Sequence, residues 1–133
     1  MMKSLVVANW KMNTTLADAT VLATLISNQL QDLTRAEVVL CPPYIWLQEV
    51  AAVLEIAAPH MRLGAQDCHS GHFGPMTGEV SATMLKDLCS YVIVGHSERR
   101  EHFKETNGEV SDKVQSVLQC GMTPILCVGE LSK

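Results

Sequence analysis

The sequence holds no Cys-x-x-Cys pair, no long apolar run, no basic excess and no two-residue hairpin signal between its apolar segments. Each absence excludes something. Without ~18 uninterrupted apolar residues, no membrane-spanning helix is expected. Ten basic residues against fourteen acidic ones give a formal net charge of −4. A mildly acidic chain lacks the electrostatic footprint for nucleic acid or an anionic membrane as its main partner. A phosphorylated small molecule stays open, because a few local donors bind one whatever the net charge. The five cysteines, Cys41, Cys68, Cys89, Cys120 and Cys127, are odd in number and lie in or beside apolar runs. That placement predicts reduced thiols in a cytoplasmic protein, not a disulfide framework. "MMKSLVVANW" carries a lysine, but its apolar stretch is too short for a secretory signal.

What is present is a repeat. The 133 residues suggest one domain, and 47% hydrophobic content with 18% charge supplies a packed core. Short apolar runs recur at 5–9, 37–41, 62–66, 91–95 and 124–128. Several lack polar alternation, which predicts strands covered on both faces, as in a parallel sheet. Helical stretches fill the gaps. Residues 15–33 place Leu22, Leu25, Ile26, Leu30 and Leu33 on one stripe, with Thr15 and Asp18 spaced as a capping box. "YIWLQEVAAVL" follows the Pro42-Pro43 turn, and a shorter helix is expected from Ser81 to Cys89. Val110, Val114, Val117 and Leu118 make a last stripe, closed by Gly121. Strand starts about 25–33 residues apart suit right-handed βαβ units. The class is α/β with parallel βα repeats; an open doubly wound sheet and a closed barrel share this pattern.

In such folds chemistry gathers at the carboxyl ends of the strands. The first run ends in "ANWKMN", presenting Asn9 and Lys11; the fourth runs into Gly95, His96, Ser97 and Glu98; the fifth reaches Cys127, Gly129 and Glu130. His96 follows a glycine and opens what reads as a helical turn, with Ser97 able to cap it. The partial positive charge of a helix start disfavours imidazolium and favours a neutral imidazole that donates a hydrogen bond.

"ANWKMN", "GAQ", "TGE", "YVIVGHSERR" and "CVGE" resemble, in order and spacing, the amino-terminal half of the triosephosphate isomerase family. The resemblance runs from about Leu5 to Glu130. It implies a single partial domain over 1–133: the first four to five units of a (β/α)8 barrel, incomplete in this chain. It also implies interconversion of dihydroxyacetone phosphate and glyceraldehyde 3-phosphate through an enediolate, in glycolysis and gluconeogenesis, without metal or organic cofactor. The family is itself the standard worked case of a neutral histidine electrophile beside a glutamate base.

Carried across by motif, His96 is the electrophile, Lys11 balances negative charge, and Asn9 adds a polar substrate contact. Ser97, Glu98, Cys127 and Glu130 take supporting places. The stretch Gln66 to Glu79 resembles the family's dimer loop, which implies a homodimer with Thr77 at the neighbour's site and Glu79 paired with Arg99 across the interface. "GPMTGE" departs from the family's usual "GAFTGE". Asp67, Cys68, His69 and His72 include zinc-type donors, but their spacing matches no established site and no metal is expected.

A complete barrel takes about 250 residues. The family's glutamate base follows strand six, so the resemblance implies that it lies outside these residues, on a complementary carboxy-terminal half. The isolated chain is expected to be inactive. The alternative is a non-catalytic half-barrel that acts as a folding or assembly module.

Overall fold

The computed structural model describes residues 3–129, and Glu130 falls outside them. The chain divides into two compact units. The first runs to Gln66 and adds Leu88–Ser90; the second takes Asp67–Asp87 and continues from Tyr91.

In the first unit, strands β1 (Ser4–Asn9), β2 (Ala36–Cys41) and β3 (Arg62–Ala65) alternate with helices α1 (Leu16–Gln29) and α2 (Leu47–Ala57). The strands pair in chain order and in parallel. Ser4 to Asn9 lie opposite Ala36 to Cys41, and Val39 and Leu40 opposite Arg62 and Leu63. β2 has a neighbour on each edge, and Val38 to Cys41 are buried throughout. The expectation of cover on both faces fails for β1. Its Leu5 is 45% exposed and Val6 50%, because among the described residues β1 has a strand on one side only.

Helix α1 starts as its capping pair predicts: Thr15 Oγ1 accepts from the Asp18 amide at 3.2 Å and donates to the Asp18 carboxylate at 2.8 Å. Its buried face is a different one from the leucine stripe. Ala19, Ala23 and Ser27, at four-residue spacing, are wholly buried, whereas Leu25 is exposed. Small side chains let the helix backbone come close to the layer beneath it, and the larger residues spread to the flanks. The two prolines turn the chain into a short 3-10 segment, Tyr44–Trp46, and then α2, which buries Leu47, Val50 and Leu54.

The second unit opens with a loop from Asp67 to Ser81. A parallel bridge between His69 and Ser81 closes its neck, and the His69 amide donates to Val80 O at 2.8 Å. Helix α3 is only Ala82–Leu85, shorter than expected, with Ser81 as its cap. Strand β4 (Tyr91–Val94) leads to α4 (Ser97–His102), then α5 (Asn107–Gln119) and β5 (Thr123–Leu126). β4 and β5 pair in parallel, Tyr91 opposite Thr123 through Val94 opposite Leu126. Helix α5 has a complete capping box between Thr106 and Glu109. It buries Val110 and Val117 as expected, but also Lys113 and Ser116, while Leu118 faces outward. The fold is therefore α/β, parallel strands alternating with helices.

Candidate active site

The groups singled out at the strand ends fall in both units. In the first, Asn9 closes β1 and its Oδ1 accepts from the Lys11 amide at 2.9 Å. Lys11 is held at φ +55°, a left-handed conformation that costs a non-glycine residue about 1–2 kcal/mol. Gln66, the residue after β3, donates from Nε2 to Lys11 O at 2.9 Å and to Cys41 O at 2.8 Å. Cys41 O also accepts from the Trp10 amide. The carboxyl ends of all three strands are thus tied at one junction. Strain of this kind persists where the surroundings over-determine the backbone, and it is concentrated at functional sites. Gln66 carries that task although nothing beyond its place in "GAQ" marks it in the sequence.

In the second unit, β4 runs into Gly95 at φ +69°. A Cβ there would lie 2.8 Å from Arg100 Nη2 and 2.9 Å from Val110 Cγ1, so both conformation and space require glycine. His96 follows as the cap of α4. Its Nδ1 accepts from the Glu98 amide at 3.2 Å, so the cap is His96 itself and not Ser97, which is the first helical residue. Glu98 Oε2 lies 3.5 Å from the same nitrogen. A proton on Nδ1 would let the ring donate to that carboxylate, but it would oppose the Glu98 amide N–H that points at the same nitrogen. Nδ1 is therefore the acceptor. With Nδ1 accepting, the proton of a neutral ring sits on Nε2, where it can donate to a bound oxygen.

Arg100 braces this turn from behind. Its Nε donates to Gly95 O at 2.8 Å, Nη1 to Asn107 Oδ1 at 2.7 Å, and Nη2 to Cys127 O at 3.4 Å. Cys127 follows β5, and its amide donates to Val94 O at 2.9 Å. Burial raises the Cys127 thiol, and Arg100 partly offsets that. Cys127 thus joins the ends of β4 and β5 through its backbone.

Thr77 and Glu79 sit exposed on the 67–81 loop. Arg99 is occupied within its own unit, 3.1 Å from Asp67 Oδ2 and 3.4 Å from Glu105 Oε1. Lys113 Nζ lies 2.9 Å from Asp67 Oδ1 and also pairs with Glu105. Burial opposes the charge on Lys113, yet its bonds to Glu105 and Asp67 outweigh this and hold its pKa above the usual value. This four-charge group was not legible in the sequence: Lys113 sits on an apolar stripe of a helix, and its partners come from three other segments.

The zinc-type donors are engaged separately. Burial pushes the Cys68 thiol up to about 12. His69 Nδ1 accepts from the Gly71 amide, and His72 Nδ1 meets Thr83 Oγ1. Among the described residues, no three His, Cys, Asp or Glu side chains are gathered as a metal would need. Nor is any helix among them long and apolar enough to cross a membrane.

Parallel strands alternating with helices, with polar side chains gathered at the strands' carboxyl ends, define an α/β scaffold. The family model for triosephosphate isomerase matches residues 4–133. A triosephosphate isomerase of Dehalococcoides mccartyi is 45% identical over 130 residues, covering 97% of this chain and 51% of the relative. That of Cytophaga hutchinsonii is 45% identical over 133 residues (98% and 52%), and that of Shewanella oneidensis 46% over 134 (96% and 51%). The chain belongs to the triosephosphate isomerase family, and it spans about half the length of the curated relatives it matches. Its five parallel strands and the helices between them are consistent with part of that family's eight-stranded barrel.

Proposed function

We propose that this chain supplies the electrophilic half of a triosephosphate isomerase site, and that the proton-accepting glutamate comes from a complementary carboxy-terminal half. His96 donates from Nε2 to the carbonyl oxygen of dihydroxyacetone phosphate. The base removes a proton from the adjacent carbon, the electron pair moves into the C–O system, and an enediolate forms. Return of the proton to the neighbouring carbon, with the hydroxyl proton passing from one enediolate oxygen to the other, gives glyceraldehyde 3-phosphate. Lys11 balances the charge of phosphate and enediolate, and Asn9 contacts the substrate oxygen. Ser97, Glu98, Cys127 and Glu130 support them. Donors preset where charge develops account for much of such catalysis. No cofactor takes part, and the setting is cytoplasmic glycolysis and gluconeogenesis.

The observation that carries this reading is the hydrogen bond from the Glu98 amide to His96 Nδ1. An Nδ1 that accepts there favours a ring with its proton on the opposite nitrogen, the form an electrophile needs. A strained lysine at another strand end adds to it. The assembled enzyme is a homodimer through the 67–81 loop, with Thr77 near the neighbour's Asn9 and Lys11. Glu79 adds a contact to Arg99 beyond the pairs Arg99 makes in its own unit.

Turnover tests this directly. The chain mixed with its carboxy-terminal half should isomerise the triose phosphates, and the chain alone should not. In the mixture, His96→Gln should cost about a hundredfold or more in kcat. Full turnover by the chain alone, or unchanged turnover by His96→Gln, would overturn the assignment.

A further inference from the structure

Four ionisable side chains meet in the second unit. Asp67 and Lys113 are more than nine-tenths buried, and the Glu105 side chain is 5% exposed. Arg99 covers them from the helix, its guanidinium lying 4.7 Å over the Phe103 ring. The signs alternate around a closed circuit: Arg99 to Asp67, Asp67 to Lys113, Lys113 to Glu105, and Glu105 back to Arg99. The formal sum is zero.

Such a group is a poor way to gain stability. Desolvating four ions offsets most of their attraction, and apolar side chains of similar volume often do as well. Glu105 Oε2 is also buried with no hydrogen-bond partner among the described residues. Helix α4 is six residues long, too short to hold its own direction. Its amino end is His96, whose carbonyl accepts from the Arg99 amide at 2.9 Å. Arg99 is therefore both the residue whose amide bonds the His96 carbonyl and the point where the circuit grips the helix. Lys113 is fixed on α5, which has a full turn structure and its own capping box.

We propose that Lys113 is a positioning residue for His96, acting through Asp67, Glu105 and Arg99 to set the direction of α4 and hence the aim of the imidazole. This rests on His96 being the electrophile. Lys113 touches no substrate. Removing its charge leaves two carboxylates sharing one guanidinium, so Arg99 is drawn toward them and α4 turns with it.

In the enzyme assembled with its carboxy-terminal half, Lys113→Met should lower kcat about ten- to a hundredfold, as misaimed catalytic groups do, with KM within about twofold. Added to His96→Gln, it should cost almost nothing more. Lys113→Met/Glu105→Gln, which removes one charge of each sign, should recover part of the loss and serves where the single variant does not fold. On the 133-residue chain, the same variants should shift the His96 imidazole nitrogen resonances. If His96→Gln is strongly impaired but Lys113→Met is normal, or if the two losses multiply independently, this proposal fails while the electrophile stands. If His96→Gln is itself normal, both fall.

Discussion

Strands β1 and β2 are made of much the same residues and lie side by side, yet one is sealed and the other open. In β2, Val38 to Cys41 are buried from end to end. In β1, Leu5 and Val6 stand about half exposed, with a strand on one side only among the described residues. β5 repeats the pattern in the second unit: it pairs with β4, whose Val92 to Val94 are buried, while its own Leu126 is 49% exposed. Burial here follows neighbours, not composition. An apolar side chain on a singly paired strand is a surface awaiting cover. The family's barrel contains strands that would provide it.

The largest effect should come from the sealed strand. Leu40→Ala in β2 should cost about 2–5 kcal/mol of stability, read as a fall in the urea midpoint, since it opens a cavity among fully buried neighbours. Leu5→Ala in β1 should cost under about 1 kcal/mol in the same chain, because that side chain loses little cover. Adding the carboxy-terminal half should narrow the gap. If Leu5→Ala is as costly as Leu40→Ala in the chain alone, β1 is already covered and the contrast is false.

The smallest effect should be indifferent to cover. Hydrogen bonds from the Thr106 backbone and side chain hold the Glu109 carboxyl below its usual 4.5. A depressed folded value means that the cap's contribution is full above the unfolded pKa and is lost as pH falls through the folded one. Glu109→Gln should therefore shift the urea midpoint at pH 7 and converge with the parent chain in acid. A constant difference across that range would show that the carboxylate is not the source.

How much of this could be read from the residues is clearest at single positions. The strands were legible because apolar runs bounded by turn residues leave few alternatives, and Thr15 with Asp18 marked the start of α1. The buried face of α1 was misread because leucines outrank alanines in any hydrophobic stripe, although Ala19, Ala23 and Ser27 allow the closest approach. The place of His96 just beyond β4 was legible from the apolar strand ahead of it. Its role as its own helix cap was not, since Ser97 is the commoner capping residue. Gln66, Arg100 and the Asp67, Arg99, Glu105 and Lys113 circuit depend on contacts between residues 5 to 55 positions apart. Local pattern carries no trace of them.

The account turns on which nitrogen of His96 bears the proton. Nitrogen-15 NMR of the imidazole, in this chain joined to its carboxy-terminal half at pH 7.5, should show Nδ1 bare and Nε2 protonated. A proton on Nδ1, whether the ring is then a neutral Nδ1–H tautomer or an imidazolium paired with the Glu98 carboxylate, would contradict the assignment.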